Sequence, residues 1–214
     1  MTGLPALVAD LARQTMRDPR GGVRRLLAMD LPMEARWIAL LLVTVLAVLV
    51  TRLSLVFLPP GGEPAFLALV ADPFGGVPVQ GLSLLIAVVA IAVIGQRFGG
   101  RGGFADALLV VAWVEFLMTV VQTAELLVML IVPPLGAVLV LAVLAWFVWI
   151  VVNAVAELHG FRNLILVFLG LVGGFVAVVF ALALILSLLG LLPVALKACP
   201  CTTCPLYTSP SPPA

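Results

Sequence analysis

The sequence predicts an all-α polytopic integral membrane protein with five transmembrane helices, a cytoplasmic N-terminus and an external C-terminus. Three observations lead there. Of 214 residues, 64% are hydrophobic and 10% charged, where a soluble globular domain is nearer half apolar and a quarter charged. Five apolar runs have the length to cross a bilayer, about 20 residues for roughly 30 Å of hydrocarbon. The arginines, finally, crowd into alternate loops, the asymmetry that sets orientation.

The runs cover residues 37–58, 78–94, 107–132, 135–155 and 164–192. The second is short and needs its flanking glycines to reach the interface. The third and fifth are long and are expected to tilt or to extend beyond the hydrocarbon. Between the third and fourth, "IVPPLG" marks the turn, because paired prolines remove two donors and end a helix.

Direction follows from the cations. Arg13, Arg17, Arg20, Arg24, Arg25 and Arg36 precede the first run, Arg97 and Arg101 lie in "GQRFGGRGGFAD", and Arg162 lies before the fifth run. The first loop has Glu63 and Asp72 and no cation. All nine of these loop and N-terminal arginines fall on one side, which the positive-inside rule makes cytoplasmic. The first 36 residues hold no apolar stretch of a cleavable signal, so the first run is expected to serve as targeting signal and span together.

Three regions result: a cytoplasmic basic amphipathic segment (1–36), a five-helix membrane domain (37–192) and a tail (193–214). In the first, Leu4, Leu7, Val8 and Leu11 follow helical spacing, and Val23, Leu26 and Leu27 resume it after "DPRGG". Such a segment is suited to lying on an anionic leaflet; the plainer reading is a basic tail that sets orientation.

A charge at the centre of a span costs about 3 kcal/mol on insertion scales, so it should face protein or water. The third run carries Glu115, Gln122 and Glu125, which fall on one face at about 100° per residue, with Thr119 nearby. That face is expected to point inward. Arg52 in the first run lies at the depth of Glu125, so an Arg52–Glu125 ion pair is expected. Glu115 has no partner visible in sequence. It reads either as a proton or cation site, or as a protonated carboxyl hydrogen-bonded to a neighbouring helix.

A second cluster closes the fourth run. In "VNAVAELHGF", Asn153 and Glu157 are four apart and share a helix face, followed by His159, the one histidine in the chain, and Gly160. The cluster is expected to cap the helix and tie it to the arginine-rich loops. A lone His makes no metal site, and no HExxH, GxSxG or paired-Asp constellation occurs. No catalytic residue, cofactor, metal or nucleic-acid contact is expected.

Taken together, the motifs resemble the Yip family of five-span membrane proteins, named for binding Ypt/Rab GTPases, and its bacterial branch most closely. The likeness rests on "GGRGGFADALLVVAW" leading into the third run, "WIVVNAVAELHGF" closing the fourth and "PRGGVRRLLAMDLPMEARW" before the first. It implies the five-span fold and a bacterial cytoplasmic (inner) membrane. Eukaryotic members work with Rab GTPases through a long N-terminal region carrying an Asp-Leu-Tyr-Gly-Pro motif. The sequence shows a short basic segment there and no match to that motif, so a Rab-type partnership is not expected.

The tail "KACPCTTCPLYTSPSPPA" has a different character. Cys199, Cys201 and Cys204 lack the spacing and the fourth ligand of structural zinc. "LYTSPSP" resembles the translation of a sequencing-library transposon adaptor, so the tail from about Lys197 is read as an artefact and carries no function.

The function expected is therefore non-enzymatic: a membrane scaffold or organiser whose basic segment and loops recruit membrane or cytoplasmic protein partners or bias bilayer shape. The alternative is a small transporter or channel component using Glu115 and Glu125. Small-residue stretches such as "LGLVGG" allow close helix packing and, with it, a homo-oligomer.

Overall fold

The structure is a computed structural model that describes residues 3–57 and 73–188. The loop carrying Glu63 and Asp72, the last residues of the fifth run and the cysteine-bearing tail lie outside the described residues. Among the described residues seven α-helices run in order: α1 (Leu4–Arg17), α2 (Pro19–Leu27), α3 (Met33–Phe57), α4 (Pro73–Arg97), α5 (Phe104–Ile131), α6 (Gly136–His159) and α7 (Leu164–Leu188). A single 3-10 turn, Pro133–Leu135, joins α5 to α6, and no strand occurs among the described residues. The five long helices are each apolar and long enough to span a membrane.

The N-terminal segment is two helices, not one. Asp18 breaks them, with φ −135° and ψ 89°, because a residue before proline is driven out of the α region. Its carboxylate then caps the next helix, accepting from the Gly21 N–H at 3.0 Å, as N-cap aspartates do. Beyond α2, Asp30 turns the chain at a positive φ of 42°, and α3 begins three residues later.

The second span is not short: α4 has 25 residues. Pro78 lies within its second turn, where few backbone bonds are lost, so Gly75, Gly76 and Gln80 all join the helix. At the other end, α4 and α6 close in the same way. Gly99 and Gly160 adopt left-handed φ of 83° and 74°, and six-residue closures follow from Gly100 N–H to Gly95 O (2.9 Å) and from Phe161 N–H to Ala156 O (2.8 Å). This is the Schellman arrangement that glycine permits.

Residues up to Phe175 form one compact unit, with α5 at its centre, packed by α2, α3, α4 and α6. Ala107 through Val114 are all buried. Eight successive residues point in every direction around a helix, so this part of α5 is enclosed on all sides. The α1–α2 hairpin closes what the spans leave open: Leu11 and Leu26 pack with Leu109, Trp113 and Leu117, while Val23 joins the main cluster with Leu40, Val43 and Val88. Gly22 permits the hairpin, since a Cβ there would lie 2.8 Å from the Thr15 Cα. The apolar stripe read in sequence as lying on lipid is thus turned, at Leu11, Val23 and Leu26, onto protein.

The α7 helix is attached lightly. Val167 packs with Val152, Val155 and Ala156, and most of the helix is exposed. From Val176 a second unit begins, whose described part is the last turns of α7, an apolar and largely exposed helix.

Candidate functional site at the arginine-rich end

All nine arginines named above belong to the end where α3, α5 and α7 begin and α4 and α6 finish. One of them is structural. Arg36, in the first turn of α3, is 6% exposed, and its guanidinium bonds Asp106 of α5 at 2.9 Å and the Leu31 carbonyl at 2.8 Å. Asp30 stands 3.8 Å away. A buried guanidinium needs its donors satisfied, and this set locks the starts of α3 and α5 together.

The Asn153–Glu157 face of α6 receives α2. Arg20 donates to the Asn153 Oδ1 at 3.3 Å, and Arg24 to the Glu157 Oε1 at 2.8 Å. Asn153 completes its amide by donating to Trp149 O at 2.8 Å. The bond to Glu157, with its charge, holds the Arg24 guanidinium above its ordinary range. On the other side of the hairpin, the Thr15 hydroxyl donates to Leu11 O and accepts from the Trp113 indole N–H at 3.2 Å. The partners of Asn153 and Glu157 are therefore arginines of α2 and not of the inter-span loops.

His159 does something else. It is 2% exposed, and its Nδ1–H donates to Val155 O at 3.2 Å. Its ring stacks on Phe161 with centroids 5.6 Å apart. The ring fills a cradle made of Gly95, Gly100 and Gly102. A Cβ on Gly100 would lie 2.6 Å from the His159 Cβ, and one on Gly102 would lie 3.1 Å from Nε2. The Arg101 N–H donates to His159 O at 3.4 Å, and Gln96 Nε2 to Gly102 O at 3.1 Å. His159 is the pin that joins the α4–α5 loop to the end of α6. Its buried Nε2 has no hydrogen-bond partner among the described residues.

Inside the span the polar residues scatter. Glu115 has a partner after all: Gln80 of α4 donates to its Oε1 at 2.9 Å. Thr119 is buried and bonds Glu115 O at 2.9 Å. Gln122 is exposed, and Glu125 is half-buried, with one carboxylate oxygen buried and lacking a hydrogen-bond partner among the described residues. The shared inward face therefore holds at Glu115 and Thr119 and ends before Gln122. Val120, Leu127, Leu130 and Ile131 of the same half of α5 are exposed as well.

Arg52 and Glu125 are not among the ion pairs of the described residues. Their depths do agree. Measured from the Arg36–Asp106 pair they lie about 24 and about 28 Å along parallel helices. Arg52 is about 160° around α3 from Arg36; it is half-buried, with its Nε buried, and lies with Leu49, Leu53 and Val56 along one surface.

Sequence reasoning missed Arg36–Asp106, Thr15–Trp113 and Gln80–Glu115, each a contact between segments remote in the chain. A signal for the His159 cradle was present in "GQRFGGRGG", whose glycine density exceeds what one turn requires. Among the described residues no cluster of three or more His, Cys, Asp or Glu is placed to hold a metal ion.

No curated protein and no solved structure matches the chain. The family model of the Yip1 domain matches residues 13–186, from the middle of α1 to the last turn of α7. With five membrane-spanning helices and that match over most of its length, the chain is an integral membrane protein of the Yip1 domain family.

Proposed function

We propose that the protein is a non-enzymatic membrane scaffold, with its arginine-rich end in the cytoplasm of a bacterial cell and the α1–α2 hairpin as its recruiting element. The observation that carries this reading is the way the hairpin is held. Its apolar side is closed onto α5, Arg20 and Arg24 are spent on α6, and Arg13 and Arg17 of α1 are left exposed on a rigid support. An ordered, outward-facing basic helix offers a fixed surface to an acidic partner, whereas a basic tail would offer only charge. Residues 1–36 act as the cytoplasmic unit and 37–192 as its anchor. The tail from about Lys197 plays no part.

Deleting the hairpin would unpack Trp113 and Leu109, so the test uses substitution. The chain carrying Arg13→Glu and Arg17→Glu is compared with the parent by crosslinking in native membranes. Defined partners recovered with the parent and lost with the variant, at equal membrane insertion, are expected. The same partners from both forms would sink the reading.

A second reading rests on the Gln80–Glu115 bond. A carboxyl held by an amide inside the span is suited to carry a proton or a small cation. If this is its role, Glu115→Gln abolishes ion flux in reconstituted vesicles while the protein keeps its melting transition.

A further inference from the structure

We propose that the loop following α4 and the loop preceding α7, pinned together at His159, form a binding site for the headgroups of anionic phospholipids in the leaflet at the arginine-rich end. The site consists of Arg97, Arg101 and Arg162 around an exposed Phe98. It stands apart from the hairpin surface and does not depend on the scaffold reading.

The arginines come from separate segments and are brought to one place by the cradle. Arg97 ends α4 two residues after Gly95, which faces the His159 ring. Arg101 lies between Gly100 and Gly102 and bonds His159 O through its own N–H. Arg162 follows His159 by three residues. All three side chains are exposed, and none takes part in the ion pairs found among the described residues. Of the acids of this end, Asp106 pairs with Arg36, Glu157 with Arg24 and Asp10 with Arg25, while Glu34 in the first turn of α3 is exposed and in none of these pairs. Three cations are thus carried on segments that the cradle joins, and none of them is ion-paired with an acid among the described residues, an arrangement suited to an anion.

The apolar residues among them say which anion. Phe98, between Arg97 and Arg101, is 71% exposed. Ile165, three residues beyond Arg162, is also 71% exposed, and Phe104, 36% exposed, stands 6.3 Å from Trp37 ring to ring. A soluble phosphate would gain nothing from these side chains. At a bilayer surface each finds its phase: the aromatic ring enters the acyl boundary and the guanidinium reaches the phosphate above it. The arginines also directly continue the exposed apolar helices α4 and α7, which places them where hydrocarbon gives way to headgroups. Guanidinium groups pair with phosphate oxygens through two parallel N–H donors, and each basic residue near an anionic leaflet strengthens binding about fivefold.

The test uses the full chain in nanodiscs of equal phosphatidylglycerol and phosphatidylcholine, with retained lipids counted by native mass spectrometry. The parent is expected to retain phosphatidylglycerol preferentially, and added salt to weaken that preference. The triple variant Arg97→Gln, Arg101→Gln, Arg162→Gln should lose about fivefold per arginine. Arg25→Gln, at an arginine whose guanidinium pairs with Asp10, should leave it unchanged. Should the triple variant lose its melting transition, Arg162→Gln alone carries the test with its single fivefold loss. The proposal fails if the parent shows no preference, or if the arginine variants keep it. It also fails if inorganic phosphate displaces the lipid at matched concentration, which would make this a soluble-anion site.

Discussion

The two halves of α5 are built differently. From Ala107 to Val114 the helix is enclosed on every side, and the polar groups around it are joined into specific contacts: Arg36 to Asp106, Trp113 to Thr15, His159 to Val155. From Val120 onward it is largely bare, with Gln122 exposed and Leu127, Leu130 and Ile131 facing outward. The difference follows from solvent. Apolar burial gives little between helices in lipid, because acyl chains are as apolar as leucine. At the arginine-rich end, water and headgroups make burial and polar pairing worthwhile. That is where the chain spends two extra helices, its glycines and its buried ionic contact. The firm half of the molecule lies beside the aqueous phase, and the far half relies on the bilayer.

The comparison breaks if substitutions in the firm half are harmless. Asp106→Leu leaves the Arg36 guanidinium buried without its main partner and should cost about 3–5 kcal/mol, read as a large loss of melting temperature in nanodiscs. A neutral result would mean that Arg36 finds water and that this end is more open than its packing implies. Gly100→Ala forces a Cβ toward His159 and should cost about 1–3 kcal/mol. Adding His159→Ala should recover much of that loss, and a coupling near zero would refute the cradle.

Thr15→Val removes the acceptor of the Trp113 indole, for an expected loss of about 1–2 kcal/mol with a shift in tryptophan emission as the hairpin loosens. If emission and stability both stay put, the hairpin is held by its apolar contacts alone. On the far half, Arg52→Gln and Glu125→Gln should combine additively within about 0.5 kcal/mol, since the two are not paired with each other among the described residues. A coupling above that would revive their pairing. Smallest of all is Arg25→Ala, which removes an exposed pair with Asp10 and should change stability by less than about 1 kcal/mol.

Legibility in the sequence divides along the same line. Spans were readable because a bilayer imposes length and composition on each segment separately. Helix ends were readable where proline or glycine acts locally, as at Asp18–Pro19 and Gly160. Depth was readable too, which is why Arg52 and Glu125 looked like partners. Azimuth was not, because the direction a helix turns to its neighbour depends on packing that no single segment encodes. Hence the missed bonds of Gln80 to Glu115 and Thr15 to Trp113, and the expectation that Gln122 faces inward. The α4 span was underestimated because Pro78 was weighed as a boundary, while near a helix start it removes little.

By itself, then, the sequence determined that this chain crosses a membrane five times, in what order, and with nine of its ten arginines gathered at one end. Those properties are sums over neighbouring residues, fixed by transfer free energy and backbone hydrogen bonding in hydrocarbon. Only the tertiary structure decided that the basic segment folds back on α5, that two arginines of α2 are taken up by Asn153 and Glu157, and that His159 is enclosed by three glycines. Each of those depends on which residues, remote in the chain, come within hydrogen-bond reach, and that is settled when helices pack.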